Sequence, residues 1–281
     1  MFQRINLTTP FFALIFLCQP CLSYAEGVSN IEGEPAVAEI RGQILKSTGT
    51  VKVINSQGEE REVTGSELAV HESDTVKTGK GAQAVVRLND GVLSVLGEQS
   101  SLLVEKKGWL SHLGGKIYFT FRKVFGGSQQ VKTKFSTIGV RGTTFIVTDN
   151  KEEGTGVALQ EGELEFESSG YGYQVHRIRD PDDFETFKQR QLEGAKDMEK
   201  EYEKYKKATM EGFFEYQKKF TLTANYRVQF NRSVVKEIEM TDKDMEVFTD
   251  FESVAGEMLE EFRRQSKEHR EMLESEQKKT P

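Results

Sequence analysis

Arg141 is the residue whose type and setting most favour a specific chemical role. It lies between Gly139 and Gly142, two glycines that are predicted to take a backbone path closed to residues with a side chain. A guanidinium group can bind two oxygens in its own plane. It could therefore clamp a carboxylate such as Asp90 or Glu161, or satisfy carbonyl groups of its own loop. We predict a structural role, in which loss of Arg141 leaves a buried carboxylate unpaired, and keep recognition of a partner as the alternative.

Trp109 is the second candidate, and it is the only tryptophan of the chain. It follows Lys106 and Lys107, and a half-exposed aromatic side chain flanked by lysines can stack on a sugar or dock a protein. The alternative is a loop that packs against the core. Aromatic and basic residues continue downstream, so the predicted binding surface comprises Trp109, Tyr118, Phe121, Arg122 and Lys123.

Catalytic and metal-binding patterns are weak throughout the chain. The four histidines are not spaced as a metal pair, and the sequence contains neither an HExxH nor a GxSxG pattern. Glu161 and Glu163 are two residues apart, which on one strand would place both carboxylates on the same side, as in a glycan-cleaving pair. The preferred interpretation is a turn at Gly162 followed by a strand with solvated carboxylates. We therefore predict no metal, no cofactor and no enzymatic activity.

The elements that position these residues are predicted to be strands over residues 39–178. Twenty of the 25 glycines lie between Gly42 and Gly172, an interval without proline. Short apolar runs separated by glycine are typical of strands joined by tight turns. Asn89-Asp90-Gly91 between two apolar runs is a strong hairpin signal. Strands at roughly ten-residue spacing predict an antiparallel jelly roll or compact β-roll.

The segment 132–147, which contains Arg141, resembles the signature of the FecR domain, an extracytoplasmic β module of bacterial signal-relay proteins. Residues 74–79 and 160–164 look like earlier and closing parts of the same domain. The resemblance covers roughly residues 39–176 and implies relay and binding without a catalytic motif. The motif positions are Asp90, Gly91, Gly139, Arg141, Gly142, Thr143, Phe145 and Gly162.

Relay proteins of this family carry a cytoplasmic sigma-regulating segment and a transmembrane helix ahead of the β module. We expect neither in this chain, because only about ten residues precede its first apolar run. Direct control of a sigma factor is therefore not predicted.

The first 25 residues have the features of an export signal. Arg4 supplies a positive charge, residues 11–17 form a short apolar run, and Ser23 and Ala25 are small residues at the two positions that a signal peptidase recognises. We predict a signal peptide over residues 1–25, cleaved or retained as an anchor, and a linker over residues 26–38. The predicted location is periplasmic or secreted, with no transmembrane segment in the mature chain.

Composition narrows the classes of partner and site further. Cys18 and Cys21 are the only cysteines, and both lie in the predicted signal peptide, so no disulfide or thiolate site is expected in the mature chain. The formal net charge is −7, so the chain has no overall excess of positive charge with which to bind phosphate groups. Nucleic acid is therefore not a predicted partner.

Residues 179–281 are predicted to be a charged amphipathic α-helical region that forms a long hairpin. A stripe from Phe184 to Phe214 that steps by threes and fours predicts the first helix. These helices could pair with each other, pack on the β domain, or present a stripe to a partner. The second helix is expected to start at Thr241 as N-cap and to bury Met245, Phe248, Phe251, Ala255, Met258 and Phe262.

The segment 221–240, between these helices, is ambiguous. Residues 222–230 alternate at a period of two, which favours a strand, yet they follow a helical pattern that has no evident stop signal. The preferred interpretation is a helix that continues to about Asn231, followed by an extended linker over residues 233–240.

These features predict an α+β protein in which an all-β, jelly-roll-like or β-roll FecR-type domain precedes a helical extension. The leading function is a non-catalytic periplasmic or cell-envelope protein that binds a protein partner as a scaffold or signal-relay component. The alternative is a protein that binds, or weakly processes, a cell-wall glycan such as peptidoglycan.

Overall fold

Nineteen strands and two helices form the described part of the chain. In this computed structural model the described residues are 39–64, 67–122, 129–170, 172–177 and 215–277. The helices are α1 (Asp242–Ala255) and α2 (Glu257–Gln277). The strands are β1 (Ile40–Thr48), β2 (Val51–Ile54), β3 (Glu60–Glu62), β4 (Leu68–His71), β5 (Thr75–Thr78), β6 (Gln83–Leu88), β7 (Val92–Leu96), β8 (Ser101–Val104), β9 (Trp109–Phe121), β10 (Gln129–Lys132), β11 (Ser136–Val140), β12 (Thr144–Asn150), β13 (Gly154–Glu161), β14 (Glu163–Ser168), β15 (Tyr173–Arg177), β16 (Glu215–Gln217), β17 (Lys219–Thr223), β18 (Tyr226–Asn231) and β19 (Val234–Glu239).

The strands pair into two sheets that share β9. Sheet 1 has the order β4-β1-β6-β7-β9-β12-β13-β18-β19-β15-β16. Sheet 2 has the order β3-β2-β5-β8-β9-β10-β11-β14-β17. The strand pairs are antiparallel, except β9 with β10 and β15 with β19. The predicted sheet-rich body is confirmed, while its jelly-roll or β-roll character stays a prediction.

One apolar core lies between the two sheets. Because successive residues of a strand point to opposite faces, alternate positions such as Val51 and Val53 of β2 are buried there. The ring centroids of Phe166 in sheet 2 and Phe230 in sheet 1 are 5.9 Å apart. Full burial of such a side chain contributes about 1.5–3 kcal/mol. Apolar burial from both sides therefore holds the sheets together as one body.

Strand β9 bends at Gly115, which lets a single strand belong to both sheets. Gly115 has φ 84°, and a Cβ atom there would lie 2.4 Å from Ser100 Cα. Only glycine fits this bend, because both the backbone conformation and the space exclude a side chain. Before the bend His112 is opposite Leu102 in sheet 2, and after it Ile117 is opposite Leu96 in sheet 1.

Helices α1 and α2 cover the outer face of sheet 1. The predicted N-cap Thr241 is confirmed, with a capping box in which Thr241 and Asp244 bond to each other's backbone N–H. A second apolar cluster joins the helices to the sheet, and the predicted alternative of packing on the β domain is therefore observed. The cluster includes Phe248, Phe251, Ala255, Leu259 and Phe262 from the helices and Val85, Leu93, Val95, Tyr118 and Ile146 from the sheet.

Two details of the predicted helix stripe are wrong. Met245 is 38% exposed, and Met258 is only partly buried, because the apolar face continues through Leu259 rather than Met258. Gly256, with φ 50°, separates α1 from α2.

The preferred interpretation of residues 221–240 as helix and linker is wrong. β18 pairs with β13 and β19, and β17 pairs with β14. The alternation at a period of two decides the structure here, because it turns Phe220, Leu222, Val228 and Phe230 into the core between the sheets. The sheets therefore continue past residue 178, and the all-helical interpretation of 179–281 fails over 215–239.

Several predictions fall on other parts of the chain. The predicted signal peptide over 1–25, the linker over 26–38 and the first helix from Phe184 to Phe214 lie outside the described residues. Among the described helices, none combines the length and apolar character that a membrane crossing requires.

His112 should make the protein less stable as the pH falls. Its ring Nε2 lies 3.2 Å from the carbonyl oxygen of Gly115, so the neutral ring donates a hydrogen bond across the bend. Burial lowers the pKa of His112 from 6.5 to about 4. Between these values the unfolded chain binds the extra proton, so the free energy of unfolding should drop by about 3 kcal/mol as the pH falls through this interval.

The measurement is urea unfolding at several pH values across and above that interval. His112→Gln, which can still donate to Gly115 but does not titrate there, should lose this part of the pH dependence. An identical pH profile for the wild type and the variant would show that His112 does not cause it.

Candidate binding site

Asp90, in the turn between β6 and β7, ties together one end of the sandwich. Its Oδ2 accepts hydrogen bonds from Arg41 Nη2 at 2.8 Å and from the backbone N–H of Gly108 at 3.0 Å. The Gln129 side chain donates to the Asp90 carbonyl at 2.6 Å. The Arg41 side chain is only 4% exposed and that of Asp90 10%. The Asp90 carboxylate therefore fixes the start of β1 and the loop before β9, and the Asp90 backbone carbonyl fixes the start of β10.

The predicted role of Arg141 as the clamp of Asp90 or Glu161 is wrong. Arg141 is exposed in the connection between β11 and β12, and within the described ranges it forms no ion pair. Arg41, which is 49 residues away from Asp90 in the sequence, takes that role. The register of β1 against β6 places Arg41 beside the turn, and no local pattern in the sequence indicates it.

The motif glycines have different roles. Gly142 has φ 64° and Gly162 has φ 91°, and a Cβ at Gly162 would lie 2.6 Å from Thr143 Cγ2. Both need glycine. Gly139 lies inside β11 opposite Glu165, and a Cβ there would make only ordinary contact at 3.7 Å, so the predicted special backbone path at Gly139 is wrong.

The remaining motif residues support the fold rather than a site. Gly91 has φ 83° in the hairpin turn, as the turn signal predicts. Thr143 and Phe145 are buried, and the Phe145 ring stacks on Phe121 with centroids 5.7 Å apart. The glutamates Glu161 and Glu163 end β13 and begin β14, which belong to different sheets, so they do not form a pair on one strand.

Trp109 lies on the outer face of sheet 2. It is opposite Gln130 of β10, which is in turn opposite Gly139 of β11. Leu110 points the other way into the core, which fixes Trp109 on the solvent side by alternation. Among the described elements, the helices pack on sheet 1, so this face of sheet 2 remains accessible.

A small network of charges holds the Trp109 side chain. The Lys132 and Lys106 ammonium groups lie 4.7 and 5.3 Å from the ring centroid, within the range of cation–π attraction. Glu105 Oε2 accepts a hydrogen bond from Lys132 at 2.8 Å, and Glu105 Oε1 accepts one from the Ser111 hydroxyl. Lys132 is therefore held between a carboxylate and an aromatic ring.

The ionisation of Glu105 follows from this network. Partial burial acts to raise its pKa, but the hydrogen bonds from Lys132 and Ser111 and the nearby charge of Lys106 outweigh burial. The pKa of Glu105 therefore lies below its ordinary value, and the carboxylate is charged at neutral pH. We name the surface formed by Trp109, Glu105, Lys106, Ser111, Gln130, Lys132 and Gly139 the Trp109 face.

The predicted five-residue binding surface is wrong as one surface. Tyr118 is fully buried and stacks on Phe251 of α1 at 6.3 Å, and Phe121 is 5% exposed in the core. Arg122 is half-buried on sheet 1, and Lys123 lies outside the described residues. Because β9 crosses between the sheets, only Trp109 among the four described members of this set lies on the outer face of sheet 2.

Sequence reasoning missed most of the Trp109 face. Gln130 and Lys132 flank the apolar Val131 at a period of two, and this signal could have placed them on one exposed side of a strand. Glu105 gives no comparable signal, because its partners Lys132 and Ser111 come from two other strands.

Comparison with known proteins supports the resemblance seen in the sequence. Residues 74–165 match the family model described as FecR protein. Two crystal structures of a Parabacteroides distasonis protein, provisionally described as an anti-sigma factor, are each 12% identical with a TM-score of 0.41. The match covers 62% of this chain and 64% or 63% of those chains, less than two thirds of their length. No curated protein matches the chain.

Loss of the Asp90 carboxylate should be strongly destabilising. Asp90→Asn removes the buried counter-charge of Arg41 and leaves only the exposed Glu39 carboxylate, 3.9 Å from the guanidinium, so the free energy of unfolding should fall by about 3–5 kcal/mol. Trp109 emission in the folded state should also change, because a neutral amide oxygen is a weaker acceptor for the Gly108 N–H than the carboxylate and holds the loop before Trp109 less firmly. Urea unfolding and fluorescence spectra measure both effects.

Glu60→Gln is the matched control for this variant. It makes the same chemical change at the solvent-exposed Lys52–Glu60 pair, where little change in stability is expected. Equal destabilisation by the two substitutions would show that the buried Asp90–Arg41 pair has no special importance.

Proposed function

We propose that this chain, whose residues 74–165 match the FecR family, is a non-catalytic binding protein of the bacterial cell envelope. It acts as a scaffold or signal-relay component that engages a protein partner. The observation that carries this proposal is the accessible Trp109 face, in which an aromatic side chain is held in a fixed network of charges. The predicted signal peptide supports a location in the periplasm or outside the cell.

The composition of the Trp109 face suits a protein partner. Tryptophan is enriched among the residues that dominate binding energy, and such residues are typically surrounded by polar groups that exclude water. Trp109 is surrounded in this way by Lys106, Lys132 and Glu105. Because these partners already hold the ring, little side-chain freedom is lost when a partner binds.

The neighbouring strand adds a charge pattern that can select the partner. Glu163, Glu165 and Glu167 are alternate residues of β14, beyond Gly139 on the same outer face of sheet 2. Lys219 of β17 lies within 3.0 Å of Glu165 and 3.2 Å of Glu167. The face therefore presents lysines beside Trp109 and an acidic strip further along, and complementary charges on a partner would fix its orientation.

Site-specific photo-crosslinking in cells tests this proposal. A photoreactive residue at Gln130 should capture one discrete envelope protein, whereas the same residue at the exposed Glu246 of α1 should not. Trp109→Ala should weaken the purified complex by about 2 kcal/mol or more, as expected for a central aromatic contact. Equal capture from both positions, or unchanged affinity of Trp109→Ala, would argue against the Trp109 face as the interface.

A cell-wall glycan is the second candidate ligand for the same face. The observation that favours it is Gly139, which leaves the outer face of the sheet without a side chain next to Gln130, the residue that lies between Gly139 and Trp109. Sugars bind on such platforms by stacking on the aromatic ring and by hydrogen bonds to amides. Lys132 would compete with a sugar for the Trp109 ring, because the Lys132 ammonium group already lies over that ring.

Trp109 fluorescence separates the two candidates, because the chain has no other tryptophan. A glycan ligand predicts saturable quenching by soluble peptidoglycan fragments. Gly139→Leu should abolish the quenching without unfolding the protein, since a Cβ atom there meets only ordinary contacts and the position lies on the outer face of sheet 2. If millimolar fragments leave the emission unchanged, the glycan candidate is removed.

A further inference from the structure

Two arginines lie on the outer face of sheet 1, on either side of β7 and away from the Trp109 face. Arg87 of β6 is opposite Leu93 of β7, and Leu93 is opposite Thr120 of β9. Arg122 follows the end of β9, and its backbone N–H donates to the Gly91 carbonyl at 2.9 Å. Both arginine side chains are half-buried.

Arg122 is held without a counter-charge. Its Nη2 donates to Gln265 Oε1 of α2 at 2.6 Å, and its guanidinium lies 4.7 Å over the Phe262 ring. Its Nε is buried without a hydrogen-bond partner among the described residues. Loss of solvent and then the positive charge of Arg87 lower the pKa of Arg122, as expected for a partly buried cation near a second one.

The Glu261 carboxylate, which Arg122 reaches through Gln265, is already engaged. Gln265 Nε2 donates to Glu261 Oε1 at 2.5 Å, and Glu261 Oε2 accepts a hydrogen bond from Arg264. Glu261 therefore meets Arg122 only through the neutral amide of Gln265. Within the described ranges, neither Arg87 nor Arg122 forms an ion pair.

Other partly buried arginines differ from this pair. Each of the three other described arginines whose side chains are buried or half-buried has an aspartate partner. These pairs are Arg41 with Asp90, Arg61 with Asp74 and Arg227 with Asp244. A desolvated cation without a counter-charge is costly, so a neighbouring pair of them is a position where an added negative group would be stabilised.

We propose that Arg87 and Arg122 form a binding site for an oxyanion, a carboxylate or phosphate group. Guanidinium groups match the oxygens of both through parallel N–H···O bonds. An anion here would replace repulsion between the two cations by attraction to both. Because Arg122 also contacts Phe262 and Gln265, the bound anion would strengthen the attachment of α2 to sheet 1.

Thermal unfolding of the full chain tests this site with inorganic phosphate and, separately, with acetate. Ionic strength is kept constant with chloride, so that general screening does not change. Binding to the folded state alone should raise the melting temperature in a saturable way. The anion that raises the melting temperature more at equal concentration is the one that the site prefers, phosphate or carboxylate.

Arg87→Gln is the decisive variant. Among the described contacts, Arg87 makes none with α2, so replacing it breaks no contact that holds the helix. The variant should weaken the apparent affinity for the preferred anion by about tenfold or more. The reason is that the hydrogen bonds from the charged Arg87 guanidinium to the anion are lost. Its melting temperature without the anion should stay level or rise, because repulsion on Arg122 is relieved.

Arg141→Gln is the matched control, with the same change in net charge at an exposed arginine. It should keep the full anion response, including any general stabilisation by phosphate through exclusion from the protein surface. The site is refuted if neither anion produces a saturable shift in the wild type, or if Arg87→Gln responds like Arg141→Gln. Neither outcome bears on the Trp109 face, which lies on the other sheet.

Discussion

The bend of β9 at Gly115 is the constraint on which the rest of this structure depends. One strand of 13 residues pairs with β8 and β10 in sheet 2 before the bend and with β7 and β12 in sheet 1 after it. A positive φ and a backbone contact with Ser100 leave no room for a side chain. The bend places Trp109 on the outer face of sheet 2 and Tyr118, nine residues later, beneath the helices on sheet 1. The backbone torsion at Gly115 therefore decides to which face of the protein each half of β9 contributes its side chains.

The buried pair of Asp90 and Arg41 acts at the end of the sandwich, where alternating apolar side chains cannot fix the loops. Removing both charges from water is costly, and the pair is tolerated because Asp90 also accepts from Gly108 and thereby organises the chain before Trp109. Asp90 Oδ1 and Arg41 Nε are buried without a described partner, so the pair is not fully satisfied. Its value lies in fixing the geometry of three segments rather than in a large gain in stability.

Two kinds of surface result from this arrangement. Sheet 1 is buried on both sides in its middle, and all five residues of β7 are inaccessible, because helices α1 and α2 supply a second apolar layer. Sheet 2 has a core side and a polar outer side, which is the usual arrangement of an antiparallel sheet facing water. The position of the helices therefore decides which aromatic residues can meet a partner. It buries Tyr118 and leaves Trp109 accessible.

The sequence by itself determined the features that depend on neighbouring residues: the strand-rich body, the hairpin at Asp90-Gly91, the capping box at Thr241 and the FecR resemblance. Only the tertiary structure decided that Arg41 rather than Arg141 pairs with Asp90, and that residues 221–231 form strands. The physical reason is the distance along the chain. The period of apolar residues, the turn type and the helix cap each depend on a few neighbouring residues, whereas the pairing of Arg41 with Asp90 depends on strand register across 49 residues. The helical pattern before residue 221 favoured the wrong choice. Pairing with β13 and β14 supplies hydrogen bonds and burial that stabilise strands there, and local propensity does not include these contributions.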